Sequence, residues 1–468
     1  MLNQVKRPWT AAAAGALALA VGCTGTSGGG SDAKASDVKA SDTTASDGKS
    51  SAGESSADKP SAPTTVTFWH GWSQPHEVKA IDELVAKFQA AHPNIKVKTV
   101  GNMADDKITQ GIRSGNGPDV VSSFTTDNVG QFCASGSWDD LTPDLAKSGI
   151  DLAKTFPAPV LEYTRFKDKQ CALPLLADAF GMYYNKDLFA AAGITTPPKT
   201  MSELKADAIK LTKYNTDGSL KVAGFMPTFR TYESLPKYLL GQWQPKYFDA
   251  DGKSNLAREP AVKEFLTWQR DMVTSLGGYG KLEKFRGTFG DEFSPQNAFE
   301  TGKIAMILDG EWRTVNLATD KVPFGWATAP FPVPDSRADA YGAGYLSGTI
   351  VGISKTSKHK DAAWELVRYL STDTDALVGF ANAIHNVPST FASLDSSELK
   401  ADEKFRTFVD VFKSPHSITT PPSSNGGKYL QSFLEFCFKS EAGQISDIQS
   451  SLEKLDKQID IDQAQVGG

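Results

Sequence analysis

Apolar and polar residues alternate along Thr65-Val-Thr-Phe-Trp69, a run rich in β-formers, which predicts a strand. His70-Gly-Trp-Ser-Gln-Pro75 breaks the alternation as a turn. Val78, Ile81, Leu84, Val85 and Phe88 then recur at helical spacing and predict an amphipathic helix. Asn94 to Val100 alternates again. Asp105 to Ser114 reads as a helix stopped by Gly115-Asn-Gly-Pro118, and Asp119 to Ser123 as a short strand. Further on, the pattern predicts helices over Met201–Lys213 and Lys360–Leu370, one closing at Gln296–Thr301, and a charged one over about Gly443–Ile459. Lys303–Leu308 and Gly348–Ile353 read as buried strands. Strands alternating with helices imply mainly parallel sheets flanked by helices, whose ligands sit beyond the carboxyl ends of the strands.

The first residues follow a different logic. Lys6 and Arg7 precede an uncharged run, Ala11 to Val21, too short to span a bilayer, which needs roughly 20 apolar residues. A positive start, a short apolar stretch and small residues make a secretory signal peptide. Leu19-Ala-Val-Gly-Cys23 resembles the lipobox of bacterial lipoproteins, although Ala20 stands where Leu is common. The resemblance implies that residues 1–22 are removed and that Cys23 becomes an acylated N-terminus, anchored to the outer face of the cell membrane. Residues 23–63 are almost entirely Ser, Ala, Gly, Asp, Lys and Thr, with Ser-Asp recurring at 31, 36, 41 and 46. With nothing to bury, this stretch is expected to act as a disordered tether.

Roughly 400 residues follow, which suits two lobes better than one core. A net charge of −6 argues against nucleic acid as a main partner. Of the four cysteines, three remain if Cys23 is acylated. A Cys133–Cys171 bridge is favoured outside the cytoplasm, and Cys437, in the apolar run Phe433–Phe438, reads as a buried thiol.

Several segments, in order, resemble the maltose-binding-protein-like solute-binding proteins of ABC sugar importers. They are Val66-Thr-Phe-Trp-His-Gly-Trp72, Gly115-Asn-Gly-Pro-Asp-Val-Val121, Cys171-Ala-Leu-Pro174 with Gly181-Met-Tyr-Tyr-Asn-Lys-Asp-Leu-Phe189, Phe299–Met306 with Gly310-Glu-Trp312, and Gly342–Ser347 through Leu366. They cover most of residues 65–400. The resemblance implies a two-lobe, periplasmic-binding-protein-like α/β clamshell, with residues 64–174 plus 338–385 as the first lobe and 175–337 plus 386–468 as the second. It also implies hinge crossings near Pro174, Arg337 and His385.

The same resemblance directs attention to particular residues. A sugar needs a flat aromatic for its C–H faces and converging polar groups for its hydroxyls, because a buried hydroxyl left unpaired is costly. In the first lobe, His70, Trp72 and Ser73 follow the first strand, with Trp72 as a stacking platform, and Ser123 and Phe124 follow the third. In the second, Asp178 stands at the family's acidic contact, and Tyr183 or its neighbour faces the cleft. Phe229 and Arg230 lie in a loop, and Glu311 precedes Trp312, which matches the family's stacking tryptophan. Gly344, Tyr345 and Ser347 belong to a glycine-rich return to the first lobe.

These readings make the chain a monomeric carbohydrate receptor that hands a di- or oligosaccharide to ABC permease subunits, with no cofactor and no metal. Two rivals stand beside it. Arg230 and backbone amides suit a glycerol-phosphate or phosphodiester ligand. Asp178 and Glu311 could form the carboxylate pair of a secreted glycoside hydrolase. Residues 64–468 carry no Gly-x-Ser-x-Gly, His-Glu-x-x-His or dinucleotide motif.

Overall fold

A computed structural model describes residues 63–466. Residues 1–62, which hold the expected signal peptide, Cys23 and all but the last residue of the expected tether, lie outside the described residues. Among the described residues, twelve strands run in chain order. The first six are β1 (Thr64–Trp69), β2 (Ile95–Val100), β3 (Val120–Ser123), β4 (Arg165–Phe166), β5 (Lys169–Gln170) and β6 (Leu173–Asn185). The rest are β7 (Lys213–Tyr214), β8 (Leu220–Phe225), β9 (Ile304–Gly310), β10 (Trp326–Ala329), β11 (Leu346–Ile353) and β12 (Val387–Pro388). Apart from the β4–β5 pair, they form one sheet ordered β2-β1-β3-β11-β6-β9-β8-β7, with β10 and β12 also pairing with β6.

The long strand β6 organises everything else. Its first part, Leu173 to Ala179, pairs with β11, while β12 pairs with Leu176 and Ala177. From Phe180 onward its partners are β9 and β10. The handover from one half of the molecule to the other therefore falls between Ala179 and Phe180, beyond Pro174. Pro174 has no N–H to give the ladder, and the register of β11 shifts opposite it, between Thr349 and Ile350.

The sheet is mixed rather than mainly parallel. Parallel pairs join β1 to β2, β1 to β3 and β8 to β9, but every pairing of β6 and β11 is antiparallel. The cause is connectivity: β6 and β11 carry the chain between halves in opposite directions, whereas only the outer strands are joined by helices in βαβ fashion.

Helix Pro75–Ala91 buries Ala80, Ile81, Leu84, Val85 and Phe88 on one stripe, and Glu77 closes its start by accepting from the Gln74 amide. Each of its large apolar side chains, fully buried, contributes about 1.5–3 kcal/mol. That stripe joins Leu366, Leu370 and Phe380 in a core beneath the β1 side of the sheet. A second, larger core runs from Ile112 and Val121 through β6 to β8, β9 and the C-terminal helices. Cys133 and Cys171 are joined, with Cα atoms 5.6 Å apart, and tie helix Val129–Ala134 to the start of β6. In the chain-entropy account a loop of this length, 38 residues, is worth about 4 kcal/mol. Cys437 is a buried thiol in helix Lys428–Glu441.

Two expected helices differ. Gln296–Thr301 forms turns, in which Asn297 caps the Phe299 amide through its side chain. The last helix starts at Ile448, because the Asp447 side chain caps it, and Gly443, with φ 71°, ends the preceding helix. No helix among the described residues is long and apolar enough to cross a membrane.

Candidate ligand site

The seam where β6 passes between the halves gathers aromatic rings and carboxylates. Phe180, the first residue beyond the handover, stacks on Tyr238 with centroids 4.1 Å apart. The rings of Trp312 and Tyr345 meet Phe180 edge-on at 5.6 and 5.8 Å. Tyr238 comes from the short helix Pro236–Leu240 of the second half, and Tyr345 from the approach to β11. Trp312 is half-buried. Its ring lies so close over Gly310 that a Cβ there would come 2.2 Å from it, so only glycine lets the indole fold back across the end of β9.

Polar groups close the belt on both sides. Asp127, on the turn after β3, bonds Lys237 Nζ of the second half at 2.7 Å and accepts from Thr420 at 2.6 Å. Thr420 also bonds the Tyr345 hydroxyl at 2.8 Å. Burial opposes the Lys237 charge, but Tyr238, Tyr345 and Asp127 outweigh it and its pKa ends well above the ordinary lysine value.

Next to this, Asn386 donates to Asp178 Oδ1 at 2.9 Å and to Glu311 Oε1 at 2.7 Å. Ser347 donates to Asp178 at 3.3 Å, and the Ala179 amide to Glu311 Oε2 at 2.9 Å. Burial raises Asp178 to about 6 against those hydrogen bonds. Burial first, then the neighbouring Asp178 charge, lifts Glu311 well above the carboxylate range.

Behind Trp312, the fully buried Arg313 binds Asp309 at 2.7 Å and Glu300 at 3.1 Å and lies 3.5 Å from Glu292. Burial, then the Asp309 charge, raises Glu292 to about 7, opposed by Arg313. Among the described residues no cluster of His, Cys, Asp or Glu could hold a metal ion.

Of the residues singled out from the sequence, Asp178, Glu311, Trp312, Tyr345 and Ser347 come together here. The others do not join them. Trp72 is core rather than a platform: 3% exposed, it is wedged between Phe124 and Phe380 at 5.4 and 5.1 Å. His70 is buried beside it, and burial lowers its pKa to about 4. The Ser73 amide donates to Glu77 at the start of the first helix. Ser123 spends its hydroxyl on Asp105 at 2.8 Å, and Phe124 lies exposed over Gly71. Tyr183 points into the core against Trp326 and Phe408, its hydroxyl donating to Gly310 O. Phe229 packs on Phe265, while the exposed Arg230 lays its guanidinium 4.2 Å above the Phe438 ring. Gly344 is backbone packing, with Val411 where a Cβ would be.

Asp127, Lys237, Tyr238, Thr420 and Asn386 were not legible in the sequence. Lys237 and Tyr238 follow Pro236 at a helix start, and Asn386 follows the expected crossing at His385; those were the only local signals. A cavity of about 440 Å³ lined by Lys263, Leu266, Arg270, Ser446, Asp447 and Ile448 lies in the second half and touches none of the belt.

Two α/β halves sharing a crossing strand, with aromatic rings and carboxylates gathered at the seam, define a two-lobed ligand receptor. The chain belongs to the bacterial extracellular solute-binding protein family, whose model matches residues 72–376. It is 22% identical over 398 residues to the maltotriose-binding protein of Pyrococcus abyssi, covering 84% of this chain and 81% of that protein. It is 26% identical over 350 residues to a maltooligosaccharide ABC transporter solute-binding lipoprotein of Streptococcus pneumoniae, covering 72% and 75%. Its fold matches that of CpMnBP1 with mannotriose bound at a TM-score of 0.71, with 21% identity and 84% and 99% coverage. As members of an extracellular family, such proteins work outside the cytoplasm.

Proposed function

We propose that the protein binds an oligosaccharide at this seam, closes its lobes on it and presents it to the membrane subunits of an ABC importer. The observation that carries this is the belt at the seam, in which the half-buried rings of Trp312 and Tyr238 rest on the buried rings of Phe180 and Tyr345 beside the half-buried Asp127, Lys237 and Asp178. Flat rings next to carboxylates and an ammonium suit C–H faces next to hydroxyls. The named relatives bind maltotriose and maltooligosaccharides, which supports an α-linked or similar short glucan-like ligand. In this reading the chain is a monomer, held at the membrane surface by lipid on Cys23 through the tether of residues 23–63.

It acts as a receptor and not as a hydrolase. Glu311 is fully buried with both oxygens taken, by Asn386 and the Ala179 amide, so no glycosidic bond reaches it. A phosphodiester ligand loses its main support, because Arg230 rests on Phe438 and the seam is rich in carboxylates.

Thermal unfolding against maltotriose, mannotriose, smaller sugars and glycerol phosphodiesters tests the reading. A ligand at about 100 times Kd stabilises the folded protein by about 2.7 kcal/mol. A raised midpoint with an oligosaccharide supports the receptor. A shift only with phosphodiesters, or turnover of any sugar, removes it.

A further inference from the structure

A sugar stacks only on a ring face that nothing else covers. Of the two half-buried rings of the belt, Tyr238 has Phe180 on one face, with centroids 4.1 Å apart. The other face is taken by the chain itself. The Lys237 ammonium stands 5.0 Å above the centre of the Tyr238 ring and 6.0 Å from that of Tyr345. The same ammonium meets Asp127 Oδ2 at 2.7 Å, while Thr420 donates to Asp127 Oδ1 at 2.6 Å, so both oxygens of the carboxylate are engaged. One side chain thus covers a stacking face and fills a hydroxyl-accepting group at once.

Its fit in that seat is incomplete. An ammonium carries three N–H donors and no acceptor. Asp127 is the one hydrogen-bond acceptor that Lys237 Nζ meets among the described residues, and its other side is turned to ring faces. A pyranose unit matches the seat more fully, with a C–H face for Tyr238 and hydroxyls that both donate to Asp127 and accept from the neighbouring Thr420 and Tyr345 hydroxyls. Leaving the seat disturbs little. Lys237 is the second residue of the helix Pro236–Leu240, and rotations of its four-carbon stem carry a strongly hydrated head to water without breaking a strand pairing. The side chains of Lys237 and Asp127 are 22% and 11% exposed, so water already reaches the edge of the pair.

We propose that Lys237 is a specificity-determining residue of the seam: its ammonium is a built-in competitor that holds the seat of one sugar unit, between Asp127 and the outer face of Tyr238, and a ligand binds there only by displacing it into solvent. The inference rests on the proposed receptor function and deepens it. The lysine sets a threshold. A ring that brings both a flat C–H face and adjacent hydroxyls offsets the broken ion pair and ring contacts, whereas a small polyol offers no face and leaves Lys237 in place.

Two measurements on the full chain test this. The first is titration calorimetry with maltotriose, and with mannotriose as a second probe, on wild type and Lys237→Ala. The variant is expected to bind about tenfold more tightly, because the ligand no longer breaks one ion pair and two cation–ring contacts. Equal or weaker binding overturns the proposal, since a bystander changes nothing on removal and a lysine that holds the sugar is missed. The second needs no substitution. Acetylation of Lys237 in wild type is followed by peptide mass spectrometry, relative to the exposed Lys263. Saturating trisaccharide should speed modification of Lys237 several-fold, and a rate that stays the same or falls overturns the proposal even where Lys237→Ala fails to fold. If wild type binds and either measurement goes against expectation, this inference falls alone. If neither trisaccharide binds wild type or Lys237→Ala, the receptor reading falls and this inference with it.

Discussion

Two loops of this molecule look alike in sequence and differ in use. Each follows the end of a strand, and each carries a tryptophan one or two residues beyond a titratable side chain: His70-Gly-Trp72 after β1 and Gly310-Glu-Trp312 after β9. In both, a glycine yields its Cβ space to a ring, Gly71 to Phe124 and Gly310 to Trp312. Around Trp72, however, Phe380 arrives from a distant helix and closes the indole off, leaving it 3% exposed. Around Trp312 the neighbours are Phe180 and the seam, and the indole stays half-buried. A loop position offers a ring to solvent or ligand only if nothing remote in the chain covers it.

Truncating the two rings separates these roles. Trp72→Ala removes a buried ring from between Phe124 and Phe380 and should cost about 3–5 kcal/mol of stability in denaturant titration. A loss below about 1 kcal/mol would mean that Trp72 is exposed in solution and reopen it as a platform.

The titratable neighbours give the second distinction, with opposite sign in pH. Burial holds His70 near 4, below its unfolded value of 6.5, so the unfolded chain takes up the proton first. Stability from this site is complete above 6.5 and is lost as pH falls toward 4, by about 3 kcal/mol. At Trp312 the shifts are upward: the contribution of Asp178 is present at low pH and lost as pH rises through about 6. Unfolding midpoints of wild type and His70→Asn across the acid range check the first loop. The variant should lose less stability in acid than wild type, and parallel curves would show that His70 is not buried neutral.

The pattern of the chain made much of the scaffold legible. Alternation in β1 and β2 and the stripe from Val78 to Phe88 reflect elements with one buried face, where periodicity reports the environment directly. β6 was legible only in pieces. It is buried on nearly its whole length, so Leu173 to Asn185 does not alternate, and Pro174 disguises its start. The site was half legible. Trp312, Glu311 and Asp178 stand in segments that resemble known receptors. Asp127, Lys237 and Asn386 are single polar residues at turns and helix starts, and their meaning comes from partners more than 70 residues away in sequence. Tyr183 and Tyr184 alternate on one strand, yet both lie over the second half's own core or surface, because β9 and β10 flank that stretch on either side.

Trp312→Ala sharpens the comparison from the other side. The ring packs on Gly310 and Phe180 without being enclosed, so its loss should lower stability by only about 1 kcal/mol. The oligosaccharide-induced rise in unfolding midpoint should vanish in this variant and persist in any Trp72 variant that folds. A retained shift in Trp312→Ala would move the stacking role to Tyr238, the other half-buried ring of the belt.

The smallest expected effect concerns a residue outside both loops. Arg230 is exposed, and its guanidinium lies 4.2 Å above the Phe438 ring, an arrangement worth about 0.5–1 kcal/mol at the surface. Phe438 closes the helix that also carries Cys437 and Glu441, and the Glu441 carboxylate accepts from the Phe229 amide. Arg230 therefore clips its loop to the C-terminal helices rather than reaching the seam. Arg230→Ala should cost about 0.5 kcal/mol and leave the response to every saccharide unchanged. Should the variant instead lose a ligand-induced shift, the loop after β8 swings into the seam on binding, and the anion-binding role of this arginine returns.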